Sequence, residues 1–382
     1  MKARDTDFWI SPEDKALLLL SRRPGSQQDE LDAVFQRRDI NWVAIADRAQ
    51  RQHVFPLVYK NLEHRRFSNV PNDVQRQLAA AYLQNSTRNA LLWHELRSIL
   101  LALNEVGVPV IPLKGFVLAF GLYGVDALRV SGDIDILVPR NCVSRAFDVL
   151  KRRGYKSNFR QPWLERLALQ HGIECCFSRE ESNIGYFVDL HQGLYLDMPR
   201  ERAILSDLWA AAIPKEILGI SVLTLSPEWE LLFLSAHAAR HQWRGLKWLV
   251  DVHEVCLRGD VDWEMLGRIA RQLGWESILR TSVVACKALL GTSIPQFLDS
   301  YCMPSWLQLS PFESRLDGAA AVAFDLRLLS RYSEKLRYIV RLVFVPTSVE
   351  ENIVRLPPAL CLFYYLLRPV RLILKWRRRL CQ

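Results

Sequence analysis

Gly132-Asp133-Ile134-Asp135-Ile136-Leu137-Val138 is the stretch on which the reading of this chain turns. In a β-strand successive side chains point to opposite faces. Asp133 and Asp135, two positions apart, therefore project from one face while Ile134 and Ile136 enter the core. Two like charges held side by side are unfavourable unless a cation neutralises them. The pair is a seat for Mg2+ or Mn2+, hard ions that take oxygen ligands and share their coordination with substrate phosphates. Taken alone, so short a motif matches often, and an acidic strand end at the surface is its plain alternative.

The neighbouring sequence favours the first reading. Upstream, Leu113-Lys114-Gly115 follows the apolar run Val108-Pro109-Val110-Ile111 and opens a helical stretch from Phe116 to Tyr123. That order puts backbone N–H groups, a lysine charge and a helix N-terminus where phosphate is bound. Arg129 and Ser131-Gly132 come just before the acids. Downstream, Ile173-Glu174-Cys175-Cys176-Phe177 and Tyr186-Phe187-Val188-Asp189-Leu190 read as further strands, with a second helical stretch from Val143 to Arg153. The middle unit, 106–225, is thus α+β with a small mixed sheet. Asp189 adds a third carboxylate. Three acids of this kind hold two metals, one on a triphosphate and one polarising an acceptor hydroxyl for in-line attack on the α-phosphorus, with pyrophosphate leaving. His191 shares the strand face of Asp189 and either orients the acceptor or is a satisfied structural histidine. Glu174 either faces the same site or is a partly exposed strand acid.

With Lys114-Gly115, Tyr123, Arg129-Val130-Ser131-Gly132-Asp133-Ile134-Asp135 and Val188-Asp189-Leu190-His191 in this order, the sequence resembles the uncharacterised bacterial nucleotidyltransferase family of the polymerase-β-like superfamily. A more distant likeness is to the AbiEii-type toxin nucleotidyltransferases, which share the lysine–glycine, arginine–serine, D-x-D order. The motifs cover 110–195, and a weaker likeness runs to about 255. The resemblance implies a Mg2+-dependent transfer of NMP from a nucleoside triphosphate. Asp133 and Asp135 would sit on the metal, with Asp189 as third ligand or base. One departure is that Lys114-Gly115 stands where the superfamily's commoner phosphate loop has Gly-Ser.

Helical sequence flanks this unit. Residues 1–105 start with a cap pattern at Ser11-Pro12-Glu13-Asp14 and include a long amphipathic segment from about Asn72 to Asn104. The helical period returns over 226–345, from Glu228 to His241, Leu246 to Leu257, Trp263 to Leu273 and Ser277 to Leu290, with a loop expected over 292–312. His237, Arg240 and His241 lie on one helical stretch. With Trp243 and Lys247 they face the cleft and touch base, ribose or phosphate. Alternatively the two histidines bind zinc with Asp251 or His253, or they merely pack. Trp229 and Trp248 are expected in the core.

A basic amphipathic tail occupies 346–382. From Asn352 onward it carries seven Lys or Arg and no acid. It has three readings: lying on an anionic membrane face, touching an RNA backbone, or packing on the helical domain with Arg377-Arg378-Arg379 solvated. Its charge-free stretch, Leu356 to Leu367, is too short to span a bilayer.

The 382 residues, half of them apolar, are enough for a substantial core in two or three units and do not suggest disorder. A net charge of +9 fits a polyanionic partner without selecting one. Eight cysteines without a C-x-x-C pair exclude a zinc ribbon or a disulfide framework and suit reduced thiols. The polar N-terminus lacks an export signal, so the expected location is cytoplasmic, with peripheral contact on the inner face of a membrane through 352–382. The chemistry leaves the acceptor open among RNA, protein, sugar and small molecule. The rival readings are a catalytically silent nucleotide- or RNA-binding module and a structural membrane-associated protein acting through its tail.

Overall fold

Ser11 caps the first helix, Pro12–Leu20, by accepting a hydrogen bond from the Asp14 amide at 3.1 Å, as the cap pattern requires. The computed structural model describes residues 11–380 except 26–27, 125, 172–174, 196–197, 300, 305 and 308–310, so Glu174 lies outside the described residues. Helices Trp42–Arg51 and Phe55–His64 follow, then the long helix Asn72–Glu105, whose limits match the amphipathic segment.

The fold is α+β, with a small mixed sheet between helical flanks. Five strands make the sheet: β1 (Ile111–Pro112), β2 (Ile134–Leu137), β3 (Lys156–Ser157), β4 (Cys175–Glu181) and β5 (Ile184–His191), in the spatial order β1-β2-β5-β4-β3. Only β2 and β5 pair in parallel, and their register sets Asp135 opposite Asp189 and Leu137 opposite His191. β1 is shorter than the expected run from Val108, because Pro109 and Pro112 lack the N–H that a ladder needs. A hairpin absent from the sequence reading, β6 (Ile213–Ile217) with β7 (Ile220–Thr224), completes the strands described.

One face of the sheet is buried under the long helix and Val143–Arg152: Leu96, Ile99, Phe147 and Leu150 form one apolar cluster with Ile134, Ile136, Val188 and Leu190. Glu95 pins the same helix to the sheet, taking a hydrogen bond from Tyr155 Oη at 2.8 Å and an ion pair from Arg179 at 2.7 Å. A second apolar cluster joins the N-terminal helices to Pro227–Arg240, Leu246–Leu257, Trp263–Leu273 and Glu276–Leu290, with Leu17, Ile45 and Leu62 among the same buried residues as Leu232, Leu249 and Val283.

The tail is folded and partly packed. Helices Ser348–Ile353 and Tyr364–Leu380 are held together by Glu350, which pairs with Arg368 at 3.3 Å and Arg371 at 2.5 Å. Tyr364 is fully buried and donates to the Val354 carbonyl at 2.7 Å.

Three buried contacts fix the segment leading into β2. Asn85 and Asn89 of the long helix donate to the carbonyls of Ala127 and Arg129 at 2.9 and 2.7 Å. The Arg129 guanidinium meets Asp251, on Leu246–Leu257, through two parallel bonds of 2.9 and 2.8 Å, and both side chains are buried. Removing one partner of such a pair leaves an uncompensated buried charge. Asp251→Ala is expected to destabilise the protein by about 3–5 kcal/mol in chemical denaturation, whereas the double replacement Arg129→Met with Asp251→Leu recovers most of that loss.

Candidate active site

Asp133 lies partly exposed at the entry to β2, Asp135 is buried within it, and Asp189 is half-buried on β5. One carboxylate oxygen from each lies within 4.8 Å of the others. Among the described residues this triad is the one group of three or more His, Cys, Asp or Glu side chains placed to share a metal ion. Asp135 Oδ1 receives Lys114 Nζ at 2.9 Å and His191 Nε2 at 3.0 Å, while Oδ2 is buried without a hydrogen-bond partner. Burial pushes the Asp135 carboxyl up, but the charges and hydrogen bonds of Lys114 and His191 outweigh it and hold the acid below the usual carboxylate range. Three carboxylates, one with a buried unpartnered oxygen, form the all-oxygen donor set that hard divalent cations take.

Lys114 reaches the acids because Gly115 turns the chain from β1 into the helix Phe116–Tyr123. Its φ of +69° lies in the left-handed region, where side chains other than glycine's are strained, and a Cβ there would sit 3.8 Å from the Asp133 carbonyl and from Ser131 Oγ. Gly132 joins Asp133 in the lining of the cleft above, and Ser131 is buried beneath, 3.4 Å from Arg129 Nη1. Arg129 also borders the cleft, but its Nε and Nη2 are committed to Asp251, so it anchors the loop before it can grip a ligand. His191, like Asp135 itself, lies outside the cleft lining, and it positions that carboxylate.

The cleft has a volume of about 490 Å³ and runs from Asp133 and Asp189 to a facing wall in which the cations Arg240, Lys247 and Arg315 stand with His237, His241 and Trp248. His241 stacks on Trp248 with ring centroids 4.5 Å apart, His237 meets the same indole edge-on at 4.5 Å, and Lys247 Nζ lies 4.6 Å from its centre. Burial and nearby cations keep the histidines neutral: His241 falls to about 3, and His237 is held well below its ordinary value. His237 Nε2 is buried with no partner. Burial and Arg129 lower the Lys247 ammonium to about 7, against the opposing pull of Asp251 and Asp133.

Both residues offered as further zinc ligands are engaged elsewhere. His253 Nδ1 lies 2.7 Å from Thr292 Oγ1, and Asp251 holds Arg129. The tryptophans are exchanged relative to expectation. Trp229 is in the core, but so is Trp243, which is fully buried and donates to Ser282 Oγ at 2.8 Å, while Trp248 lines the cleft. Gln242 and Trp243 adopt φ of +60° and +52°, so the chain turns sharply after Pro227–Arg240 and carries Trp243 into the core. His53, Cys176 and Arg315 also border the cleft and were not singled out. His53 comes from a turn at φ +55°, Cys176 sits opposite Asp189 across β4–β5, and Arg315 lies in irregular chain; none belongs to a motif.

A family model described as uncharacterised nucleotidyltransferase matches residues 38–291, a span that holds every cleft residue named above except Arg315. The crystal structure of an antigenic nucleotidyltransferase-like protein from Paracoccidioides brasiliensis is similar at 17% identity, covering 52% of this chain and 97% of that one, with a TM-score of 0.31. The search of curated proteins finds no match. With two thirds of its length matched by that model, and with the aspartate triad inside the matched span, the chain belongs to the uncharacterised nucleotidyltransferase family.

Proposed function

We propose that the protein transfers an NMP from a nucleoside triphosphate to a hydroxyl of an acceptor, with Asp133, Asp135 and Asp189 holding Mg2+ or Mn2+. The observation that carries this reading is the aspartate triad itself: Asp135 keeps a buried, unpartnered Oδ2, and its two companions, Asp133 and Asp189, line a cleft whose other wall carries Arg240, Lys247 and Arg315. The bound cation supplies neutralisation of triphosphate charge. Lys114, Lys247, Arg240 and Arg315 hold the phosphate oxygens, and the Phe116–Tyr123 N-terminus adds its dipole. Trp248, flanked by His241 and His237, offers a flat face for the base. Asp189 takes the proton of the acceptor hydroxyl as its oxygen bonds to the α-phosphorus, and the bond to the β-phosphate oxygen breaks to release pyrophosphate. His191 positions Asp135.

The acceptor needs only a hydroxyl, so RNA, protein, sugar and small molecule are separated by incubating the enzyme with labelled NTPs and cell extract and identifying the labelled fraction. In that assay Asp133→Ala with Asp135→Ala is expected to abolish labelling. Full labelling by the double variant would sink the assignment. Mg2+-independent NTP binding without product would identify a silent nucleotide-binding module instead.

Lys247 makes nucleotide binding pH-dependent. With its ammonium lowered to about 7, it is charged below that pH and neutral above it. Affinity for the triphosphate is expected to fall about tenfold between pH 6 and pH 8 by calorimetry, and Lys247→Arg should flatten that fall, because the guanidinium stays protonated. An unchanged slope in the arginine variant would remove Lys247 from phosphate binding.

A further inference from the structure

The C-terminal segment carries an apolar exterior that nothing described in the chain covers. On the helix Tyr332–Phe344, Leu336 is 63% exposed, and Ile339, Val340 and Phe344 continue the same outward stripe at helical spacing. On Tyr364–Leu380, Leu366 is 62% and Ile373 57% exposed, with Val370 and Leu374 beside them and Leu362 and Phe363 just before. The two helices pack against each other. Exposed apolar surface of this extent marks a place of contact.

Its charge selects the partner. From 331 to 382 the sequence has eleven Lys or Arg and three Glu. All three acids are buried: Glu334 faces Arg200 at 3.5 Å, Glu350 holds Arg368 and Arg371, and Glu351 accepts the Arg160 amide at 2.9 Å. Arg331, Arg337 and Arg355 are exposed. The exterior of this segment is therefore apolar and cationic, with no acid facing outward among the described residues. A second copy pressed against it would oppose like charges. RNA would meet the cations but leave the apolar stripes wet. A bilayer surface rich in anionic headgroups satisfies both, with the stripes in the acyl boundary and the cations at headgroup level. No described helix is long and apolar enough to cross the membrane, so the contact lies in its plane.

We infer that the helices Tyr332–Phe344 and Tyr364–Leu380 form a docking surface for an anionic lipid bilayer. The interaction is independent of nucleotide transfer. Full-length protein should co-sediment with phosphatidylcholine vesicles containing about 30% phosphatidylglycerol and remain in solution with phosphatidylcholine alone. Leu366→Glu with Ile373→Glu should lower partitioning by about tenfold or more with an unchanged melting temperature. Leu218→Glu, on the exposed turn of the β6–β7 hairpin, should bind as wild type, as should Asp133→Ala with Asp135→Ala. Equal binding to neutral vesicles, no binding to either, or full binding by the Leu366/Ile373 variant would overturn the proposal. So would a dimer, seen by light scattering, that the same two substitutions dissolve.

Discussion

Asp135 and Asp189 face each other across adjacent parallel strands, and relieving that repulsion is the constraint around which the site is built. Lys114 and His191 converge on one oxygen of Asp135 and leave the other buried without a partner. Lys114 can do so only because Gly115 bends the chain at a backbone angle that other residues rarely adopt. His191 can do so because it follows Asp189 by two residues and shares its face of β5. Strand register, glycine turn and histidine thus serve the same electrostatic end.

The cleft separates its charges by source. The sheet supplies the anionic floor, whereas the helices Pro227–Arg240 and Leu246–Leu257 supply most of the cationic wall. A ligand that bridges them must offer negative charge to one side and accept a cation on the other, which is the character of a metal-bound polyphosphate. Neutral histidines suit the part of the wall next to Trp248, where stacking rather than ion pairing is on offer.

The strands and long helices were legible because their patterns are local: alternation through Asp133 to Leu137, apolar spacing through Asn72 to Glu105. The three acids were legible for the same reason. Arg129 was readable as a neighbour of the site but not as an anchor, since its partner Asp251 lies 122 positions away and nothing near either residue announces the pair. Asn85 and Asn89, which hold the loop before β2, look in sequence like polar positions of an amphipathic helix. Trp243 and Trp248 were exchanged because residue type alone does not tell a core tryptophan from a cleft one, and a turn of positive φ separates the two helices that carry the wall. His53 and Arg315 reach the cleft by tertiary folding alone.

The apolar cluster shared by Leu17, Ile45 and Leu62 with Leu232, Leu249 and Val283 also dictates an order of events during synthesis. The N-terminal helices emerge first, yet the residues that complete their core lie beyond the whole sheet unit. Until the chain out to about Leu328 has left the ribosome, the cluster that those helices share is unfinished. Contacts of such sequence separation close more slowly than local ones. One face of the sheet, whose cluster draws only on residues 92–222, can close earlier, while Ile111 and Leu137 of the sheet belong to the cluster that joins the two ends.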